Sequence, residues 1–246
     1  MKNHTDLPDL ASLNSQRRCA ETTWMREEVL DSPDGWSLSK TDPRAMLDCF
    51  RSLRLRDNWN LIGYQFREGN NANGLVLPVP IGTPHAHFLA NPPAIAGADG
   101  IPPLMRAITG DGSFESYLAA SLFYRECREF GAMGHGIDWL DHHLLNNECW
   151  INGVVSHNLE PLGLRKEQWE WLDNVENFEP SVSAAAAGRI VSLFTYQGRM
   201  DAMIVRHSDT FLDGYEFQTS TKVIARPYRA EKIEAIIQHH KIKRAL

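Results

Sequence analysis

The stretch from Ser113 to Leu145, SFESYLAASLFYRECREFGAMGHGIDWLDHHLL, constrains this chain more than any other. Advancing about 100° per residue from Phe114 to Phe130 puts apolar side chains nearly all round the axis. Arg125, Glu126, Arg128 and Glu129 leave only a narrow polar strip. A helix that is apolar on most sides has to be covered on most sides, so this one is expected at the centre of the fold. Ser113 is placed to cap it, and Glu115 lies in the first turn, where the helix dipole favours a negative charge.

Beyond Phe130 the pattern changes. Phe130, Met133, Ile137, Leu140 and Leu144 share a second apolar stripe if the helix continues, and His135, Asp138 and His142 fall together on the opposite side. Gly131, Gly134 and Gly136 stand between the halves, each costing about 1 kcal/mol in a helix interior. Two readings follow: one long helix that carries a His/Asp face into a buried cleft, or a broken helix whose second half is amphipathic with a solvated face. Close approach of another backbone or of a ligand is the usual reason for such glycine density.

His135, Asp138 and His142 are therefore the candidate catalytic group. Two imidazoles and a carboxylate on one face suit either a divalent metal or a general acid/base pair oriented by the carboxylate. A metal would recruit further ligands, and His85 and His87, alternate residues that share a face in an extended segment, join His135 and His142 as the candidate set. His207 and Glu148 are further candidates. Tyr124, Gly134 and Trp139 are the candidate ligand-lining residues. No zinc-hydrolase spacing is present. Glu126 and Glu129 form an E-x-x-E on one helix only, which argues against a di-iron bundle. Ser113, Ser121 and the cysteines lack the surroundings of an activated nucleophile.

On the N-terminal side, residues 15–30 read as a helix that stops before DSPDG. Asp42 and Pro43 form a start signal for a helix over 43–54. Residues 59–66 and 75–79 read as paired strands across an Asn/Gly-rich loop. Residues 78–103 hold seven prolines and read as a long ordered connection packed over the domain. Leu104 to Ile108 reads as one short helical turn, and Gly110-Asp111-Gly112 is a weak anion-loop signal.

On the C-terminal side, residues 164–172 read as a second helix and 177–187 as a linker. From Arg189 the chain reads as sequential hairpins, with Asp213-Gly214 the strongest turn signal. Ser192, Thr195, Gln218, Thr219 and Thr221 mark the wetter strand positions. Residues 231–243 read as an amphipathic helix. The fold class expected is α+β, an antiparallel β-meander packed around a long, mostly buried central helix. Residues 1–40 are expected to be a polar segment with one helix, 41–228 a single α+β domain, and 229–246 the C-terminal amphipathic helix.

A formal net charge of −6 in 246 residues argues against a dedicated nucleic-acid binder. No apolar run approaches the length that spans a bilayer, and the N-terminus lacks a signal-peptide core, so a soluble, non-membrane protein is expected. Four scattered cysteines (Cys19, Cys49, Cys127, Cys149) show no C-x-x-C, two of them sit in expected helices where buried free thiols are the default, and a reduced, cytoplasmic setting is expected. The functional expectation is a small-molecule enzyme of undetermined reaction built on the His135/Asp138/His142 constellation, with a divalent metal as the candidate cofactor. The competing expectation is a non-catalytic domain that binds a small molecule or a protein through an aromatic-lined pocket. Both leave a homo-oligomer open.

Overall fold

The structure is a computed structural model, and it describes residues 10–24, 31–84, 99, 102–134, 138–147, 154–155, 161–162, 169–186, 188–197 and 202–228. In chain order the elements are α1 (Leu10–Trp24), β1 (Gly35–Leu38), α2 (Arg44–Leu47), β2 (Leu53–Leu55), β3 (Trp59–Glu68), β4 (Asn71–Pro80), α3 (Pro103–Arg106), β5 (Ile108–Gly110) and α4 (Phe114–Arg128). A 3₁₀ turn, Trp139–Asp141, leads into β6 (His142–Leu144), β7 (Val154–Val155), β8 (Pro161–Leu162), β9 (Trp169–Trp171), β10 (Ser181–Ala185), β11 (Gly188–Gln197), β12 (Met203–Asp213) and β13 (Glu216–Pro227). The class is α+β with antiparallel sheets, and β11, β12 and β13 are successive neighbours in the largest of them, the meander read from the sequence.

Two compact units make up the chain. The first draws on Met1–Asp141, Pro180–Ser192 and Ser208–Ser220, the second on His142–Glu179, Leu193–His207 and Thr221–Leu246.

In the first unit α4 is the buried helix that its sequence demands. Leu118, Ala119, Ala120, Leu122 and Phe123 have no solvent exposure. Removing a side chain of Leu or Phe size from water contributes about 1.5–3 kcal/mol. Phe123 meets Phe50 edge-on at 5.7 Å, Tyr117 stacks on Tyr215 at 5.0 Å, and Tyr124 meets Phe217 edge-on at 5.5 Å. The Ser113 hydroxyl accepts the Ser116 amide at 3.1 Å and caps the helix as expected.

The β3–β4 hairpin pairs from Trp59 with Pro80 to Glu68 with Asn71, and β1 lies on its other edge. Its turn is tighter than the Asn/Gly-rich stretch suggested, because Gly69 takes φ +58° and lets two residues reverse the chain. Residues 43–54 form a helix only over Arg44–Leu47, after which turns lead directly into β2, paired with β5. The short helical turn expected after residue 103 is α3.

The long central helix is corrected. It ends at Arg128, and the chain then makes a turn, a bridge between Met133 and Ala72, a 3₁₀ turn and a strand. Gly131 and Gly134 adopt φ +66° and +63°, which a continuing right-handed helix excludes. The second amphipathic helix of the alternative reading does not form among the described residues either.

The thiol reading is corrected too. Cys19 and Cys49, 30 residues apart, form a disulfide that ties α1 to the turn after α2. The scattered spacing hid a pair that the tertiary fold brings together. That disulfide withdraws the thiol argument on which the cytoplasmic expectation stood. Cys127 is a buried free thiol, and Cys149 lies outside the described residues.

In the second unit β6 pairs with Thr195–Gln197 of β11, and β9 pairs with Ala225–Pro227 of β13. Its core gathers Leu145, Trp169, Phe178, Phe194, Tyr196, Ile204 and Ile224. Trp169–Trp171 is a strand rather than the end of a helix, since two aromatics at alternate positions pack better on a pleated surface bonded to β13. The linker expected at 177–187 contains β10, which pairs with β11 from Ser181–Ser192 to Ala185–Gly188 in the first unit. The candidate helix at 231–243 and part of the proline-rich connection lie outside the described residues. No helix among the described residues is long and apolar enough to cross a membrane.

Candidate functional site

The residues singled out from the sequence are dispersed. His135, His85 and His87 lie outside the described residues. Asp138 belongs to the first unit and His142 to the second, and the helical face that was to hold them together ends ten residues before Asp138. Asp138 is exposed, and its backbone amide donates to both carboxylate oxygens of Glu129 at 3.1 Å. Gly134 is drawn against the hairpin turn, where a Cβ would stand 2.5 Å from the Asn71 side-chain oxygen and 2.8 Å from the Asn70 carbonyl. Another backbone, then, is what approaches this glycine. Among the described residues no three His, Cys, Asp or Glu side chains converge as a metal site would require.

Trp139 and Tyr124 do belong to built environments, both in the first unit. The Trp139 indole N–H donates to Glu126 Oε1 at 2.7 Å, and Arg17, from α1, donates to the same oxygen through Nε at 2.8 Å. The Arg17 and Arg125 guanidinium carbons lie over the Trp139 ring at 4.5 and 5.6 Å from its centroid. Arg125 is itself held by Asp209 through two hydrogen bonds of 2.7 and 3.0 Å. Burial pushes the Glu126 carboxyl above the ordinary glutamate range, while the Arg17 charge and the hydrogen bonds from Arg17 and Trp139 pull it part of the way back. Burial raises Glu129 as well, against the backbone amides that face it.

Tyr124 lines a narrow trough between β4, α3 and α4 that encloses about 30 Å³. Leu75, Leu77 and Pro78 form one wall, Leu104 another, and Tyr124 with Cys127 the floor. Arg128, exposed, stands at the rim. Burial pushes the Cys127 thiol up, with the Glu126 charge adding to it, so this sulfur behaves as a small apolar group. The wall can form because Gly74 lets β4 lie against the turn that follows α4. A Cβ there would stand 1.9 Å from the Phe130 carbonyl oxygen.

In the second unit His142 keeps company that the sequence only partly indicated. Its Nδ1 is 2.7 Å from the Thr195 hydroxyl, which is 2.9 Å from Nε2 of His207. All three side chains are buried, and the two rings meet at 5.5 Å. Thr195, read as a wet strand position, has no exposure at all. The signal was in the alternation, since Val191, Leu193 and Thr195 share the inward parity of β11. The Arg17 partner of Glu126 left no such trace, because its segment reads as a polar helix.

Comparison with models of protein families, with curated proteins and with solved structures finds no match to this chain.

Proposed function

We propose that the protein binds a small, slender organic acid in the trough beside α4, its apolar body against Leu75, Leu77, Leu104 and Tyr124 and its carboxylate at Arg128. The observation that carries this reading is the trough itself. Its lining is mostly apolar, as in small-molecule sites, and one cation, Arg128, stands beside it. The narrowness favours an alkyl chain over a fused ring system. In this reading Tyr124 lines the ligand, and the pocket is mixed aliphatic and aromatic where the sequence suggested an aromatic one.

The test is a calorimetric titration with unlabelled undecanoic acid. Saturable binding is expected from the wild type, lost when Cys127→Phe fills the floor and weakened several-fold by Arg128→Gln. Absence of saturable binding to the folded wild type, or equal binding by Cys127→Phe, would sink the idea.

A second reading, a proton-transferring enzyme, is supported by the His142–Thr195–His207 array, in which one hydroxyl lies within hydrogen-bond distance of two imidazoles. A hydrolytic activity on a panel of chromogenic esters that survives Thr195→Ser and vanishes in Thr195→Val would favour it. Activity retained by Thr195→Val would remove this array from the chemistry.

A further inference from the structure

We propose that Glu126 and the ring of Trp139 form a binding site for an alkylguanidinium ion, of which Arg17 is the intramolecular occupant. The site consists of a carboxylate, an indole face and an indole N–H, all in the first unit and all buried. A carboxylate beside an aromatic face is the combination that recognises a planar cation, the first by charge-assisted hydrogen bonds and the second through the ring quadrupole. Arg17 uses both, at 2.8 Å from Glu126 Oε1 and 4.5 Å from the Trp139 centroid.

Its fit is incomplete. A guanidinium normally meets a carboxylate with two parallel N–H groups, one to each oxygen. Here Oε1 receives both Arg17 Nε and Trp139 Nε1, while Oε2 is buried and has no hydrogen-bond partner. Arg17 Nη2 also donates to the Trp139 carbonyl, at a long 3.4 Å. The backbone position of Arg17 explains this. It is set by α1, which is anchored by buried Leu13, Ala20 and Trp24 and clipped through Cys19 to Cys49. Arg17 thus approaches from a fixed direction and leaves one acceptor unused. A ligand free to choose its approach would satisfy both oxygens.

In the proposed exchange α1 stays in place and the Arg17 side chain, 12% exposed, turns about its own bonds to carry its charge to solvent. A guanidinium is preferred to an ammonium because it is planar, lies flat on the indole and offers two donors in one plane, whereas an ammonium is a point charge that gives up more hydration. The proposal does not depend on the trough, which lies on Tyr124 and Cys127.

The probe is n-butylguanidinium, with n-butylammonium and n-butylurea as controls. Calorimetric titration of Arg17→Met, which keeps the methylene volume and removes the occupant, is expected to give low-millimolar or tighter binding. Wild type should bind at least ten-fold more weakly, and Arg17→Met combined with Glu126→Gln not at all. In parallel, the Trp139 indole N–H resonance of the wild type, assigned with Trp139→Phe, is expected to shift with butylguanidinium and not with butylurea. That measurement decides the matter should Arg17→Met fail to fold. No shift in the wild type together with no binding by folded Arg17→Met overturns the proposal. Equal binding of butylammonium, or binding that persists without the Glu126 carboxylate, overturns it too.

Discussion

The Thr195 hydroxyl lies 2.7 Å from Nδ1 of His142, in a place where neither residue is open to solvent. Such a hydroxyl serves the two rings of His142 and His207 at once, donating to one nitrogen and accepting from another. Thr195→Val keeps the shape and removes both bonds. A loss of about 1–3 kcal/mol for each buried polar group deprived of its partner is expected. Thr195→Ser should restore most of it. Urea melts of the three proteins check this, and a Thr195→Val protein as stable as wild type would deny the array any structural weight.

The ion pair between Arg17 and Glu126 gives a pH-dependent prediction. Removing one partner of a buried pair costs about 3–5 kcal/mol when the remaining charge has no compensation. Glu126 already titrates above the ordinary glutamate range because of burial, and losing the Arg17 charge moves it further up. In Arg17→Met the folded protein therefore holds a proton that the unfolded chain releases at lower pH. Stability is retained below the ordinary glutamate range and lost as pH rises through the folded value. Denaturation at pH 5 and pH 8 should show a larger deficit for Arg17→Met at the higher pH.

Glu129 obeys the same sign. Its carboxyl is raised by burial, so ionising it costs stability as pH rises from the ordinary glutamate range upward. In Glu129→Gln the side-chain oxygen can still accept the Asp138 amide, and the titration is gone. The stability of Glu129→Gln relative to wild type is expected to improve between pH 4 and pH 8. A flat difference across that range would mean that Glu129 titrates normally.

Gly74 and Gly69 separate two uses of glycine within one hairpin. A methyl at 74 meets the Phe130 carbonyl oxygen, a backbone atom that cannot swing aside. Gly74→Ala should cost about 3 kcal/mol or more, or prevent folding. A methyl at 69 meets nothing within 4 Å, and its cost comes from φ +58° alone, about 1–2 kcal/mol. Thermal melts of both variants give the comparison.

The Cys19–Cys49 bridge closes a 30-residue separation, for which chain entropy gives about 3–4 kcal/mol. Cys49→Ser is expected to lower stability by that order. Peptide mapping of alkylated, unreduced protein should recover residues 19 and 49 in one linked fragment. Both cysteines alkylated without reductant would refute the bridge.

Where neighbours in sequence decide a structure, the sequence was readable. Ser113 caps α4 because its own hydroxyl reaches the amide three residues on, and β12 turns at Gly214 into β13 because Asp213-Gly214 has few other uses between apolar runs. The buried character of α4 followed from its lack of a polar face. What failed were extrapolations past a break. The apolar stripe through Met133 and Leu144 has helical spacing, yet Met133 bridges Ala72 and Leu144 pairs opposite Thr195 in a strand. Tertiary hydrogen bonding overrode a periodicity that three glycines had already weakened. Of the candidate site, Trp139, Tyr124 and His142 were singled out in the sequence, while the residues that stand beside them in the structure, Arg17, Leu75 and Thr195, come from distant segments with ordinary local patterns.

Each compact unit is assembled from three separated stretches of chain, with the switches falling at Asp141–His142, Glu179–Pro180, Ser192–Leu193, His207–Ser208 and Ser220–Thr221. A ribosome delivering this chain from the N-terminus cannot release a finished first unit when residue 141 emerges, since Asp209, the partner of Arg125, is still to be made. The buried guanidinium must wait some eighty residues for its carboxylate, and Tyr117 and Tyr124 wait longer still for Tyr215 and Phe217. A single cut in the chain therefore cannot separate the two units without taking residues from one of them.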